Sequence, residues 1–156
     1  MCKFRYKLWV ISRGVELNKM IIAFEGLDRS GKSTIRRVFA KATKEKYITI
    51  DRFSTTSFVM NDWFKRKDKQ QEKSLLKCEN ALKKSDNLVL VFLDVLPQIC
   101  WKRGAEYSVA ELLIQRRMFI KTLIKQVSRG IRVVVIANNK TTEKTVKELI
   151  WQIESL

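Results

Sequence analysis

Eight consecutive residues, Gly26-Leu27-Asp28-Arg29-Ser30-Gly31-Lys32-Ser33, satisfy the pattern G-x-x-x-x-G-K-[ST], a loop whose backbone N–H groups cradle phosphates. Gly26 and Gly31 permit turn conformations and a close approach that a Cβ would block, so successive N–H groups can converge on phosphate oxygens. The helix expected to follow adds its positive N-terminal end. Lys32 is placed to reach the β- and γ-phosphates of a bound nucleotide, and Ser33 to offer a hydroxyl to magnesium, a hard ion that prefers oxygen ligands. Thr34 adds a further phosphate contact. A second candidate is the pair Asp51-Arg52, which ends an apolar run. Read alone, the pair is either a strand-terminal salt pair or a ligand-facing couple in the crevice where parallel strands end. The chain contains no histidine, so Ser-His and Cys-His nucleophile activation is excluded. Cys2, Cys78 and Cys100 are odd in number and irregular in spacing, which argues against a disulfide framework or a structural zinc site.

A phosphate loop works only between a strand and a helix, and the surrounding sequence supplies both. Four apolar runs, residues 20–25 (MIIAFE), 47–51 (YITID), 88–95 (LVLVFLDV) and 131–137 (IRVVVIA), are rich in β-branched and aromatic residues. Three of them show little alternation, the mark of strands buried on both faces. Between them lie helical patterns at 32–43 (Ile35, Val38, Phe39, Ala42), 58–84, 109–128 (Leu112, Leu113, Met118, Leu123, Val127) and 143–153 (Val146, Leu149, Ile150, Ile153). Strand and helix alternate throughout, which predicts an α/β fold with a mostly parallel sheet and helices on both faces. Length fits one domain over 20–156, preceded by an extension over 1–19 in which Phe4, Tyr6, Leu8 and Val10 alternate with basic residues and Trp9. That extension reads either as an extra edge strand or as a poorly ordered tail.

FEGLDRSGKST at 24–34 resembles the phosphate loop of thymidylate kinases and their nucleoside-monophosphate and deoxynucleoside kinase relatives. Three weaker segments follow in the family's order. DRF at 51–53 resembles the D-R-[YF] motif, VFLDVLPQICWKRG at 91–104 a strand followed by a lid, and VIANNKTTEKTV at 135–146 the last strand and its adenine-side loop. The likeness runs from Met20 to the C-terminus and is to a shortened form, since the strand and helices that normally precede the D-R strand are missing. It implies the three-layer P-loop NTPase fold and ATP-dependent phosphoryl transfer, with magnesium, to a (deoxy)nucleoside monophosphate, dTMP above all. It also implies roles for single residues. Arg29 would act as a built-in arginine finger and Arg52 as the clamp on the acceptor phosphate. Asp51 would hold a magnesium-bound water or serve as base toward a hydroxyl acceptor. Arg103 would belong to a lid over 101–107 hinged at Gly104, and Asn138 and Asn139 would lie on the adenine side. Phe53, Phe58, Trp63 and Phe64 are the aromatics near the missing base platform, or else core residues.

The charge balance is the compositional outlier: 32 Lys and Arg against 16 Asp and Glu give +16. Such a surface attracts polyanions. Arg116, Arg117, Lys121, Lys125, Arg129 and Arg132 contain no intervening acid, and three of them recur at helical spacing. Two further readings stay open beside the nucleotide kinase: a kinase for a nucleoside or polynucleotide 5′-hydroxyl, and a weakly active kinase fold that binds nucleic acid through its basic surface. No apolar run is long enough to span a bilayer and the N-terminal residues lack a secretory pattern, so a cytoplasmic protein with no membrane partner is expected. Monomer and homodimer both remain open.

Overall fold

The computed structural model describes residues 19–66, 68–84 and 86–156, so the extension expected over 1–19 falls, apart from Lys19, outside the described residues. The elements are β1 (Ile21–Glu25), α1 (Lys32–Ala42), β2 (Ile48–Asp51), α2 (Ser54–Trp63), α3 (Lys69–Lys84), β3 (Leu88–Asp94), α4 (Pro97–Lys102), α5 (Val109–Ser128), β4 (Arg132–Ala137) and α6 (Thr142–Glu154). All strand pairs are parallel and their order is β2-β1-β3-β4. The α/β fold with helices on both faces, read from the alternation of runs, is the fold observed.

Alternate residues of each strand face opposite layers, so the two enclosed strands feed two separate cores. Ile22, Phe24, Val89, Val91 and Leu93 pack with Ile35 and Phe39 of α1 and Val146, Leu149 and Ile153 of α6. Ile21, Ala23, Leu90 and Phe92 pack on the other side with Val59 of α2, Leu82 of α3, Cys100 of α4, and Leu112, Phe119 and Leu123 of α5. Burying side chains of this size contributes about 1.5–3 kcal/mol each, enough to make the sheet the rigid base of the molecule. β4, the outer strand among the described residues, departs from the expected double burial: Val135 is 54% exposed.

Three local expectations change. The helical stretch over 58–84 is two helices, broken where Lys65 takes a left-handed φ of 51° and the Arg66 N–H returns to the Asn61 carbonyl. The first of them starts at Ser54, so Ser54, Thr55, Thr56 and Ser57 form its opening turn. The segment leading to the lid contains a short helix, α4, begun by Pro97, whose missing N–H costs nothing at a first turn. On α5 the buried face is Leu112, Gln115, Phe119, Leu123 and Gln126, whereas Leu113 and Val127, expected inside, are exposed. Gln126 is tolerated inside because its amide is hydrogen-bonded to Ser54 and Thr55.

Candidate functional site

Parallel strands bring all four of their C-terminal ends to one rim: Phe24 lies level with Asp51, Glu25 with Phe92, and Asp94 with Ala137. The loop over 26–31 rises from the rim between β2 and β3. Gly26 holds φ 145°, and a Cβ there would stand 2.9 Å from the Leu93 carbonyl oxygen. Gly31 holds φ 89°, and a Cβ would meet the Asn138 amide nitrogen at 2.8 Å. Only glycine allows the loop to sit this low on the sheet. Leu27 is fully buried and anchors the loop in the core, while Arg29 is exposed, with a left-handed φ of 56°.

Lys32 opens α1 and turns back over the loop. Its Nζ donates to the carbonyls of Gly26 (3.0 Å) and Leu27 and to Ser30 Oγ (3.2 Å). Burial, with the Arg52 charge as the second cause, lowers the ammonium from its ordinary 10.5 to about 8. Ser33, one residue on, donates its hydroxyl to Asp51 Oδ2 at 2.7 Å, and Asp51 Oδ1 is buried without a hydrogen-bond partner. A hydroxyl and a carboxylate with one oxygen to spare are a hard-oxygen pair suited to magnesium. Among the described residues no three acidic or thiol side chains converge, so such an ion would complete its shell with phosphate oxygens and water.

Arg52 follows at the rim with φ 62°, and its guanidinium lies 3.9 Å from Asp28 Oδ1. Arg103 Nη1 donates to the Arg29 carbonyl at 3.4 Å, which sets the residue expected in a lid against the loop. Together they line a cavity of about 510 Å³ that takes in residues 28, 29 and 31–35, Arg52, Arg103 and Glu106. Arg29, Lys32, Arg52, Arg103 and Lys140 outnumber Asp28 and Glu106 there, which suits a polyphosphate. Gly104 has φ 82° and no neighbour within 4 Å of an added Cβ, so nothing packs against the expected hinge.

Asn138 lines this cavity and also braces the loop. Its Nδ2 donates to the Ser30 carbonyl (2.8 Å), its Oδ1 accepts from Thr145 Oγ1 (3.2 Å), and the side chain is buried. Both ends of the amide are engaged in bracing the loop from beneath. Phe53 is likewise core, and Trp63 packs edge-on against Tyr107 at 6.0 Å. The basic run on and after α5 is partly neutralised over long range. Arg116 makes two 2.7 Å bonds to Asp94, Arg129 pairs with Glu79, and Arg132 pairs with Asp86. Arg117, Lys121 and Lys125 remain exposed.

Two residues of the rim escaped the sequence reading. Asp94 ends β3 and is tied by Arg116 to α5; the signal was an apolar run ending in an acid. Glu25 ends β1 fully buried and accepts from the N–H groups of Phe53 (3.0 Å), Thr55 (3.0 Å) and Thr56 (3.1 Å) and from the Thr56 hydroxyl. Burial pushes its carboxyl above the ordinary range, against those four donors, which pull it down.

No protein-family model matches the chain, and no curated protein matches it in sequence. Solved structures do match in shape. The YorR protein of Bacillus subtilis, in complex with phosphorylated GDP, superposes with a TM-score of 0.66 at 20% identity, over 86% of this chain and 96% of that one. Shikimate kinases from Aquifex aeolicus (TM-score 0.46, 15% identity, 86% and 96% covered) and Bacteroides thetaiotaomicron (0.48, 14%, 86% and 98%) are more distant. The likeness to YorR concerns the fold, and it agrees with the motif and the strand order: the chain has the parallel α/β architecture of the P-loop NTPases.

Proposed function

We propose that the chain is an ATP-dependent phosphotransferase acting on a (deoxy)nucleoside monophosphate, with dTMP to dTDP as the first reaction to test. The observation that carries this reading is the Ser33–Asp51 hydrogen bond beside Arg52. An Asp51 carboxylate engaged with Ser33, its other oxygen buried, is suited to serving a cation and poorly suited to taking a proton from a hydroxyl. A monophosphate needs no base, because its attacking oxygen is already ionised. Arg52, the next residue, offers such an acceptor a charge-assisted fork.

In this mechanism the loop N–H groups and Lys32 hold the β- and γ-phosphates. Ser33 and Asp51 would hold magnesium, which would supply neutralisation of phosphate charge. Arg52 aligns the acceptor oxygen with the γ-phosphorus. A bond forms from that oxygen to phosphorus while the bridging bond to the β-phosphate breaks and its electron pair leaves on ADP; no proton moves. Arg29 and Arg103 stand where charge gathers on the transferring group, so catalysis is positioning and electrostatics.

A polynucleotide 5′-end is the second reading, favoured by one observation: a groove of about 830 Å³ lined by Lys19, Arg36, Arg37 and Lys41 opens beside Ser33 and Thr34. The deciding experiment is a transfer assay with γ-labelled ATP and magnesium against nucleoside monophosphates, including dTMP and GMP, against nucleosides, and against a 5′-hydroxyl oligonucleotide. Label on a monophosphate is expected. Label on the oligonucleotide alone moves the assignment to the second reading, and label on none defeats both.

A further inference from the structure

Arg52 is the residue whose placement the proposed reaction depends on, and its backbone, at φ 62°, is in the left-handed region that side-chain-bearing residues rarely adopt. A strained residue persists where its surroundings over-determine it. Here the constraint comes from both sides. Before Arg52, Asp51 is bonded to Ser33; at Arg52 itself, the N–H donates to the Phe24 carbonyl at 2.9 Å. After it, the Phe53, Thr55 and Thr56 N–H groups and the Thr56 hydroxyl all end on the carboxyl of Glu25. Helix α2 has no side-chain cap of its own, so Glu25 takes the place of one from a different strand.

Glu25 adjoins Gly26, whose carbonyl accepts from Lys32. One carboxyl therefore fastens the first turn of the acceptor-side helix to the first residue of the phosphate loop. The bracket continues inward, away from the ligand: Thr55 Oγ1 donates to Gln126 Oε1 (2.8 Å), and Gln126 donates to Glu79, which pairs with Arg129. Glu25 is fully buried, and the hydrogen bonds it accepts all come from the β2–α2 junction.

We infer that Glu25 is a positioning residue that sets the distance between the Arg52 guanidinium and the phosphate loop, and so governs acceptor binding and alignment while leaving ATP binding alone. This rests on the reading of Arg52 as the acceptor clamp. Glutamine cannot replace it, because its NH₂ would confront N–H groups that need an acceptor.

The test pairs kinetics with a ligand-free measurement. In the full chain, Glu25→Gln should raise the acceptor KM about tenfold or more, while the KM for ATP stays within about twofold. In an Arg52→Ala background the same change should add less than about twofold, because its effect is transmitted through Arg52. Equal rises in both KM values, or full additivity with Arg52→Ala, overturn the proposal. Amide hydrogen exchange on the ligand-free variant should accelerate at residues 52–56 and stay unchanged in β3; uniform acceleration, or none, overturns it too. If Glu25→Gln does not fold, Thr56→Val, which removes one donor and keeps the backbone N–H groups, should show the same pattern at smaller size. Should the wild-type chain phosphorylate no acceptor, the functional reading fails, while exchange still decides whether the bracket exists.

Discussion

The phosphate loop and the β2–α2 junction meet at one cavity but are held in contrasting ways. The loop is mostly self-contained: its glycines, its own carbonyls and the Lys32 ammonium two residues from Ser30 close it locally, with Asn138 as the main outside brace. The junction has almost no local support. Its strained Arg52 and uncapped helix are held by partners on β1 and α1, 18 to 31 residues distant in sequence. A locally closed element keeps its shape when its surroundings change, whereas one held at a distance inherits every shift of those surroundings. Donor binding should therefore be robust and acceptor binding easily perturbed.

The sharpest test of that contrast is Arg29. Because Arg29 lines the cavity and is exposed, Arg29→Ala should lower turnover about 10³-fold or more with little change in ATP affinity if it acts as an arginine finger. Normal turnover would reduce Arg29 to a surface side chain. Lys32→Ala should lower kcat/KM by about 10²–10³-fold and loosen the loop that its three hydrogen bonds close, while circular dichroism, which reads the sheet and helices, stays near wild type. A lost circular dichroism signal would show that the loop's closure holds the sheet as well. On the junction side, Arg52→Ala should raise the acceptor KM about 10–100-fold, the loss of a charge-assisted contact of about 1.5–3 kcal/mol. If ATP binding suffers equally, loop and junction are one unit and the contrast falls.

The smallest expected effect is a pH dependence. Burial lowers Lys32 to about 8, and a bound polyphosphate favours its charged form. ATP affinity should decline as pH rises through 8, by at most about tenfold per unit. The sign for stability is opposite: between pH 8 and the ordinary 10.5 the unfolded lysine holds its proton while the folded one releases it, so Lys32 makes stability rise with pH. Titration of ATP binding between pH 7 and 9.5, beside melting curves of the ligand-free chain, measures both, and a flat binding curve would remove Lys32 from the phosphate site.

Legibility follows the same division. Residues 26–34 declare themselves because every requirement of a phosphate loop is written within one short stretch, and β1 and β3 declare themselves because burial on both faces leaves an unbroken apolar run. Glu25 does not, since its partners lie 28 to 31 residues ahead and only the pairing of β1 with β2 brings them together. Asn138 was legible from its place just past the last strand, but its hydrogen bond to the loop was not, since Ser30 lies 108 residues away in sequence. Gln115 and Gln126 were invisible as interior residues because a periodicity of apolar side chains passes over polar ones that are buried.

The strand order has one more consequence, for the order of events during synthesis. β1 is made first among the described strands, yet its two neighbours begin 27 and 67 residues later, as Ile21 pairs with Ile48 and Leu88. Its five buried residues leave the ribosome long before β3 exists to enclose them. At about 5–20 residues per second, several seconds pass in which an apolar strand is covered at best on one edge. In that interval the charge of α1 and α3, rich in Lys and Arg, keeps like chains apart.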